Sequence, residues 1–407
     1  MYAQQPSAPQ SRTDAVHVFL DCDSCDDSYM RTEVTFINFV RDRVGADVHV
    51  LITTQGTGGG GTEYTLKFIG LGRFQGVDHT LTYSSPQTAT SDERRQGLTS
   101  VFKLGLVRYV ADTPLAQRLK LTFEEPPGQQ TAGAVDDPWN FWVFRIGASG
   151  EFEGQESSES RGLSASFSAN RTTEMWKINI NGSSGYDEDT FELEEEDGGT
   201  FTSIRRQSEF RTLVTKSITD HWSYGATAVA LASTFQNYDL RTRVAPGIEY
   251  DIFPYSESTR RILTLFYSVG FQTADYTEET IFGITSETVF DHSFEVSMAL
   301  RQPWGTASGS LELQQYLNRS DTYRVNAFGS LDVRLFKGFS LEVFGSGARR
   351  RDQLSLRRGS ATSEEILVRQ RELATGYQVE VGVGFSYSFG SIFNNVVNPR
   401  FRNVGGL

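Results

Sequence analysis

The sequence predicts two unlike parts. The first is a small α+β domain of βαββαβ order in residues 16–123, and the second an all-β antiparallel region of about twelve strands in residues 139–390. Three observations predict them. Apolar residues recur at both helix and strand spacing up to residue 123, whereas only period-two alternation follows. The segment EEPPGQQTAGAVDDP, residues 124–138, has the Pro, Gly and polar content of a linker. Gly (38), Phe (29) and Tyr (16) are plentiful while Pro (11), Met (4) and Cys (2) are scarce, which suits strands more than packed helices.

Taken in order, residues 1–15 read as a flexible polar N-terminus, and VHVFLDC (Val16 to Cys22) alternates as a strand. DDSYMRTEVTFINFVRDR (Asp26 to Arg43) puts Met30, Val34, Ile37 and Val40 on one helical stripe, with Asp26 or Asp27 as N-cap. DVHVLITT (Asp47 to Thr54) and EYTLKFIGLGRF (Glu63 to Phe74) read as strands. A helix runs from about Ser91 to Ala111 and stops before Pro114. RLKLTF (Arg118 to Phe123) closes the series as a strand, and the order suggests a ferredoxin-like sandwich.

Gly56, Gly58 and Gly61 satisfy the G-x-G-x-x-G spacing of a dinucleotide-binding turn. Such a turn has to open a helix whose N-terminus meets the pyrophosphate. Thr62 to Phe68 alternates with period two instead, so Gly56, Gly58, Gly59, Gly60 and Gly61 read as a hairpin loop and a candidate contact loop. No cofactor is expected. In DCDSCDD (Asp21 to Asp27), Cys22 and Cys25 read first as a local disulfide. A redox-active pair at a helix N-terminus is the second reading, opposed by the surrounding carboxylates. A weak Ca²⁺ site on Asp21, Asp23, Asp26 and Asp27 is the third; it has hard oxygen ligands but lacks the D-x-D-x-D-G spacing.

Beyond residue 138 the strands begin near Phe141, Arg161, Trp176, Thr200, Trp222, Leu240, Arg260, Glu287, Thr306, Tyr323, Phe339 and Val368. YQVEVGVGFSYSF shows the pattern: Tyr377, Val379, Val381, Val383, Phe385, Tyr387 and Phe389 share one face, and Gln378, Glu380, Gly382, Gly384, Ser386 and Ser388 the other. Many segments reach the ~9–11 residues of a tilted membrane strand. Connections alternate between short (Phe336–Phe339, Arg301–Gly305, near Asp220–Trp222) and long (Asp187–Gly199, Asp275–Glu287, Asp352–Ala374). Transmembrane barrels have this asymmetry, short turns on the periplasmic side and long loops outside. Trp142, Trp176, Trp222, Trp304 and Tyr377 near strand ends fit an interfacial aromatic girdle. Pro246 falls inside the sixth strand, where a bulge would accommodate it. A soluble sandwich also alternates, but its strands are shorter and its apolar face is interior.

No stretch approaches the ~18–20 consecutive apolar residues of a membrane helix, and the mean hydropathy is −0.37. A net charge of −13 opposes nucleic-acid binding. The start, MYAQQPSAPQ, lacks the basic and apolar regions of an export signal, which a periplasmic domain would require in the precursor.

With these features the chain resembles single-chain bacterial outer-membrane β-barrels that carry an N-terminal periplasmic α/β domain. The resemblance implies an outer-membrane location in a Gram-negative cell, with residues 391–407 as a periplasmic tail. Such barrels commonly end on an aromatic residue of the last strand, whereas Phe389 here is followed by that tail, with Phe393 and Phe401. Inward positions mix charge signs (Arg145, Lys177, Arg243, Glu249, Glu295, Arg334 and others), so pairing across a narrow interior is expected rather than a wide pore. The function expected is a narrow or gated channel or transport component. The alternative is an anchored scaffold whose plugged barrel holds the α/β domain for a periplasmic partner. Enzyme activity is not expected: in the barrel region only His221 and His292 could serve a hydrolytic triad, and His292 faces away from its neighbours Asp291 and Ser293. The partners expected are outer-membrane lipid or lipopolysaccharide, with Arg349, Arg350 and Arg351 as candidate headgroup contacts. Glu194–Asp197 makes an opposing loop acidic, and Arg357 and Arg358 extend the basic hairpin.

Overall fold

Alternation around Val16 and Val18 produces β1 (His17–Asp21), which lies between two parallel neighbours, β2 (Asn38–Phe39) and β3 (Val48–Gly56). The computed structural model describes residues 15–120, 137–192, 199–359, 372–391 and 395. β3 continues through antiparallel β4 (Thr62–Gly70) and β5 (His79–Ser85), giving a mixed sheet of order β2-β1-β3-β4-β5. Between β1 and β2, α1 (Asp27–Glu33) is capped by Asp26, which accepts from the Tyr29 N–H at 2.9 Å. A capping box of Thr90 and Glu93 starts α2 (Ser91–Val110). This helix lays Leu98, Phe102, Leu106 and Tyr109 on a core that includes Phe39, Leu66 and Phe68. Phe102 stacks with Phe39 at 6.2 Å between ring centroids, and its loss to Ala would cost roughly 3–5 kcal/mol.

This small unit differs from the expected βαββαβ order. The helix expected through Arg43 stops at Glu33, because Val34–Ile37 is β-branched and aromatic and leads into an edge strand. There the Asn38 N–H donates to Val16 O and the Val40 N–H to Val18 O, both at 2.9 Å. β5 is an additional strand, and Pro114–Arg118 is a 3₁₀ turn in place of the start of a strand. Residues 121–123 lie outside the described residues, as does most of the expected linker. With β1 parallel to both neighbours, the sheet is not ferredoxin-like.

From Trp142 onward every described element of length is a strand. They are β6 (Trp142–Gln155), β7 (Ser158–Thr172), β8 (Trp176–Glu192), β9 (Thr200–Ser217), β10 (Trp222–Ser233) and β11 (Tyr238–Asp251). After them come β12 (Arg261–Tyr276), β13 (Ser286–Gln302), β14 (Gly305–Tyr316), β15 (Arg319–Phe336), β16 (Phe339–Arg350) and β17 (Tyr377–Tyr387). They form one 12-stranded sheet in sequence order, antiparallel throughout. Strand lengths run from 11 residues (β17) to 18 (β9), above the ~5–6 usual in soluble sheets. The last strand begins at Tyr377 rather than near Val368, and residues 360–371 are not among those described.

The expected closed barrel is corrected in one respect: the sheet is open. β6 and β17 are its two edges and are not paired with each other. Both are exposed along both faces, with Ile146 at 83% and Val381 at 69%. The sheet is nevertheless strongly curved. The Glu372 N–H donates to Phe235 O at 3.2 Å, beside the start of β11. A flat sheet would separate β11 from β17 by six strand spacings, about 29 Å, but the five residues from Glu372 to Tyr377 span at most about 18 Å. The bulge expected at Pro246 is absent: Val244 pairs with Phe271 and Gly247 with Ser268, the same register on either side.

One face of this curved sheet is apolar and exposed, carrying Phe144 and Leu163 on β6 and β7, Val244, Ile248, Phe271, Phe290, Phe294, Leu311 and Leu313 on β11 to β14, and Val381 on β17. The other carries the polar and charged positions. Among the described residues no helix is long and apolar enough to cross a membrane.

Candidate functional site

The C-terminal residue of β1, Asp21, points out of the small domain to the short-turn end of the large sheet. Its carboxylate accepts from both terminal nitrogens of Arg334 at 2.6 Å, while His49 Nε2, on β3, lies 2.9 Å away. Arg334 also packs over the Phe19 ring, 5.2 Å from its centroid. Burial pushes the Asp21 carboxyl upward, but hydrogen bonds from His49 and Arg334 outweigh it and hold the group below its ordinary value. Burial holds His49 below the usual histidine value, against the raising effect of Asp21. A neutral His49 therefore donates from Nε2, and its buried Nδ1 has no partner among the described residues.

Further contacts spread this docking along the rim. Arg41 donates to Phe389 O at 2.9 Å, and the Gly338 N–H, in the β15–β16 turn, donates to Asp42 at 2.5 Å. Asn395 accepts from the Phe39 N–H at 2.6 Å and donates to Asn38 at 3.0 Å, so this residue of the tail rests on β2. Phe393 and Phe401 lie outside the described residues. A cavity of about 270 Å³ separates the face of β3–β5 (Thr53, Lys67, Thr80) from Ser256, Thr259 and Arg260 of the β11–β12 connection.

The glycine run is the tip of the β3–β4 hairpin: Gly56 ends β3, β4 begins at Thr62, and Gly60 has φ 76°. No helix follows, so nothing there offers a phosphate a helix N-terminus. The tip meets the large sheet instead. A Cβ at Gly58 would lie 2.5 Å from Thr172 Cβ at the end of β7, and one at Gly60 would lie 3.2 Å from the Arg145 guanidinium. Gly59 and Gly61 complete the turn, with the Gly61 N–H donating to Thr57 Oγ1 at 2.9 Å.

Cys22 and Cys25 are joined by a disulfide. The nearby carboxylates diverge: Asp21 faces Arg334, Asp26 caps α1 and pairs with Arg95 at 3.2 Å, and Asp27 pairs with Arg31 at 2.7 Å. Asp23 joins none of these pairs. Among the described residues no group of three or more His, Cys, Asp or Glu could hold a metal ion.

On the polar face, Arg243 of β11 reaches across β12 to Asp291 of β13, with Nε at 2.9 Å and Nη2 at 2.5 Å. The crossing point is Gly270, where any Cβ would overlap the Asp291 carboxylate and the guanidinium. Asp291 is fully buried and also accepts from Gln314 at 3.1 Å. The segment after β16 covers this end of the sheet. Leu354 packs with Val289 and Tyr316, Asn237 donates to Ser355 O at 3.0 Å, and the Ile281 N–H donates to Leu356 O at 2.8 Å. Arg357 pairs with Glu278 at 3.2 Å and Arg358 with Glu279 at 3.1 Å. The acidic Glu194–Asp197 lies outside the described residues.

Arg349 and Arg351 gather on Tyr323, Arg349 Nε at 3.1 Å from its hydroxyl and Arg351 over its ring at 5.8 Å. Arg349 shares its face with Leu341 and Val343, whereas Arg350 is on the opposite one. The two histidines are apart: His221 Nδ1 contacts Asp251 O at 2.6 Å, and His292 Nδ1 lies 3.3 Å from the Tyr267 hydroxyl on the apolar face, away from Asp291.

Between the small domain and the Arg243–Asp291 pair lies a cavity of about 660 Å³ in the polar face, reaching from Thr172 on β7 to Glu295 and Ser297 on β13. Thr172, which meets Gly58, is part of its wall. Comparison with protein-family models gives no match, and comparison with curated proteins gives none either. The site therefore rests on its own geometry. Sequence reasoning marked Arg243, Glu249, Glu295 and Arg334 as inward and missed their partners. Asp21 and Arg334 are 313 positions apart, and no local pattern pairs them.

Proposed function

We propose that the chain is an outer-membrane barrel serving as a narrow, gated channel or transport component, with the small domain covering its periplasmic end. The observation that carries this reading is the exposed apolar face that most of the twelve strands share, backed by a charged opposite face. Water does not stabilise such a face, whereas a bilayer does. In lipid, the unpaired N–H and C=O groups of β6 and β17 would be costly, and closure of the two edges satisfies them. An even number of strands makes that pairing antiparallel, like the rest of the sheet.

The docking of Asp21 on Arg334 and of Gly58 on Thr172 supports the small domain as the gate. Heat-modifiable gel migration tests the membrane barrel, and planar-bilayer recording tests the channel. The full chain should give discrete conductance steps that lengthen or enlarge in Asp21→Asn, where the domain is released. No current from either protein sinks the channel reading.

A second reading, the anchored scaffold, is favoured by the packing of Leu354, Ser355 and Leu356 across the far end. It accounts for a silent bilayer, and it requires that the small domain retain a periplasmic protein when the full chain is used as bait.

A further inference from the structure

The 660 Å³ cavity lies within the ~300–1,000 Å³ typical of small-molecule sites. Its wall is unbalanced in charge. Glu174, Asp220, Glu249, Asp251 and Glu295 line it against a single lysine, Lys177. Glu295 is steadied by the Ser297 hydroxyl at 2.7 Å. Asp251 is different: it is 6% exposed, and its Oδ1 is buried with no hydrogen-bond partner among the described residues. A buried, unpartnered carboxylate oxygen is costly unless something donates to it. Its His221 neighbour contacts the backbone oxygen rather than the side chain. Phe266 and Leu213 supply an apolar wall in the same cavity.

We infer that this cavity is a binding site for an organic cation, a solute with an ammonium or guanidinium head and an apolar body. The head donates to Asp251 and Glu249, and the body lies along Phe266 and Leu213. A bare metal ion is the wrong occupant, since the described carboxylates do not converge on one point. An anion would meet the wrong sign of charge. The Gly58 hairpin meets the cavity rim at Thr172, so the small domain stands where it would admit or retain the solute.

The inference gives a substrate class to the channel reading and rests on that reading for its biological meaning, although binding can be measured without it. Titration calorimetry on the detergent-solubilised full chain, with phenethylammonium as probe and phenylacetate as its anionic counterpart, tests it. Saturable binding of the cation alone is expected, weakened about tenfold by Asp251→Asn and by Glu249→Gln, and unchanged by Glu342→Gln elsewhere on the polar face. Glu249→Gln serves should Asp251→Asn fail to fold. Equal binding of phenylacetate, no binding of either probe, or affinity unchanged in both cavity variants would overturn the site. Binding without conductance would keep the site and reject the channel, while conductance without binding would do the reverse.

Discussion

Arg334 of β15 grips Asp21 of β1 through both terminal nitrogens at 2.6 Å, and this fork ties the small domain to the large sheet. Arg334 keeps a third of its side chain exposed, so the pair is worth less than the ~3–5 kcal/mol lost when fully buried pairs are broken. Asp21→Asn should cost on the order of 2 kcal/mol of docking, and adding Arg334→Gln should cost little more. Amide exchange in β1 and β2 of the full chain reads this directly. Fully additive losses would show that the two side chains act independently.

Acid should loosen the same junction. Asp21 and His49 are both held below their ordinary values in the folded chain. A depressed His49 favours the fold fully above the unfolded histidine value, about 6.5, and loses that contribution as pH falls below it. Depressed Asp21 adds a second loss below about pH 4, as the pH approaches its folded value. Protection of β1 and β3 amides should therefore fall from pH 7.5 to pH 5.5, and His49→Gln should flatten that step. Protection that rises on acidification would contradict the assignment.

Gly270 is the point where Arg243 passes over β12 to reach Asp291. Gly270→Val should displace the pair and leave a fully buried carboxylate unpaired, at about 3–5 kcal/mol. Gly329→Val, on β15, where an added Cβ would meet nothing nearer than Ser308 O at 4.0 Å, should cost far less. Denaturation midpoints of the two variants make the comparison.

Arg349 and Arg351 beside Tyr323 are placed to meet headgroup phosphates if the apolar face lies in lipid. Replacing both with Gln should weaken lipopolysaccharide retention during purification, whereas Arg350→Gln, on the other face, should not. Equal retention in all variants rejects the contact.

The large sheet was the most legible part of the sequence. Strand starts such as Trp176, Thr200, Trp222 and Phe339 fall where alternation and turn residues put them, because the period-two pattern is local and repeated. The small domain was less legible. Val34–Val40 fits a helical stripe as well as a non-helical run, and only the pairing of Asn38 and Phe39 with β1 decides between them. HTLTYSS alternates but is short and largely polar on its outer face, so it carried little signal. The Asp21–Arg334 fork, the Arg243–Asp291 bridge and the unpartnered Asp251 are products of tertiary packing. Alternation put Arg243 and Arg334 on the inward face, but nothing local pointed to Asp21 or Asp291 as their counterparts, or singled out Asp251.

Closure of the sheet between β6 and β17 in lipid is the central claim, and paired cysteines test it most directly. Cysteines at Phe144, Ile146 or Ala148 would be combined with cysteines at Val379, Val381 or Val383, all on the apolar face, in bilayer-reconstituted protein. Facing positions on paired strands bring Cβ atoms to about 4.5–5.5 Å, close enough for a disulfide with small adjustment. Cross-links are expected along one diagonal of pairs, as efficient as in a control pair at Phe271 and Phe290, which already face each other. Cross-linking of the control with none between β6 and β17 would contradict closure.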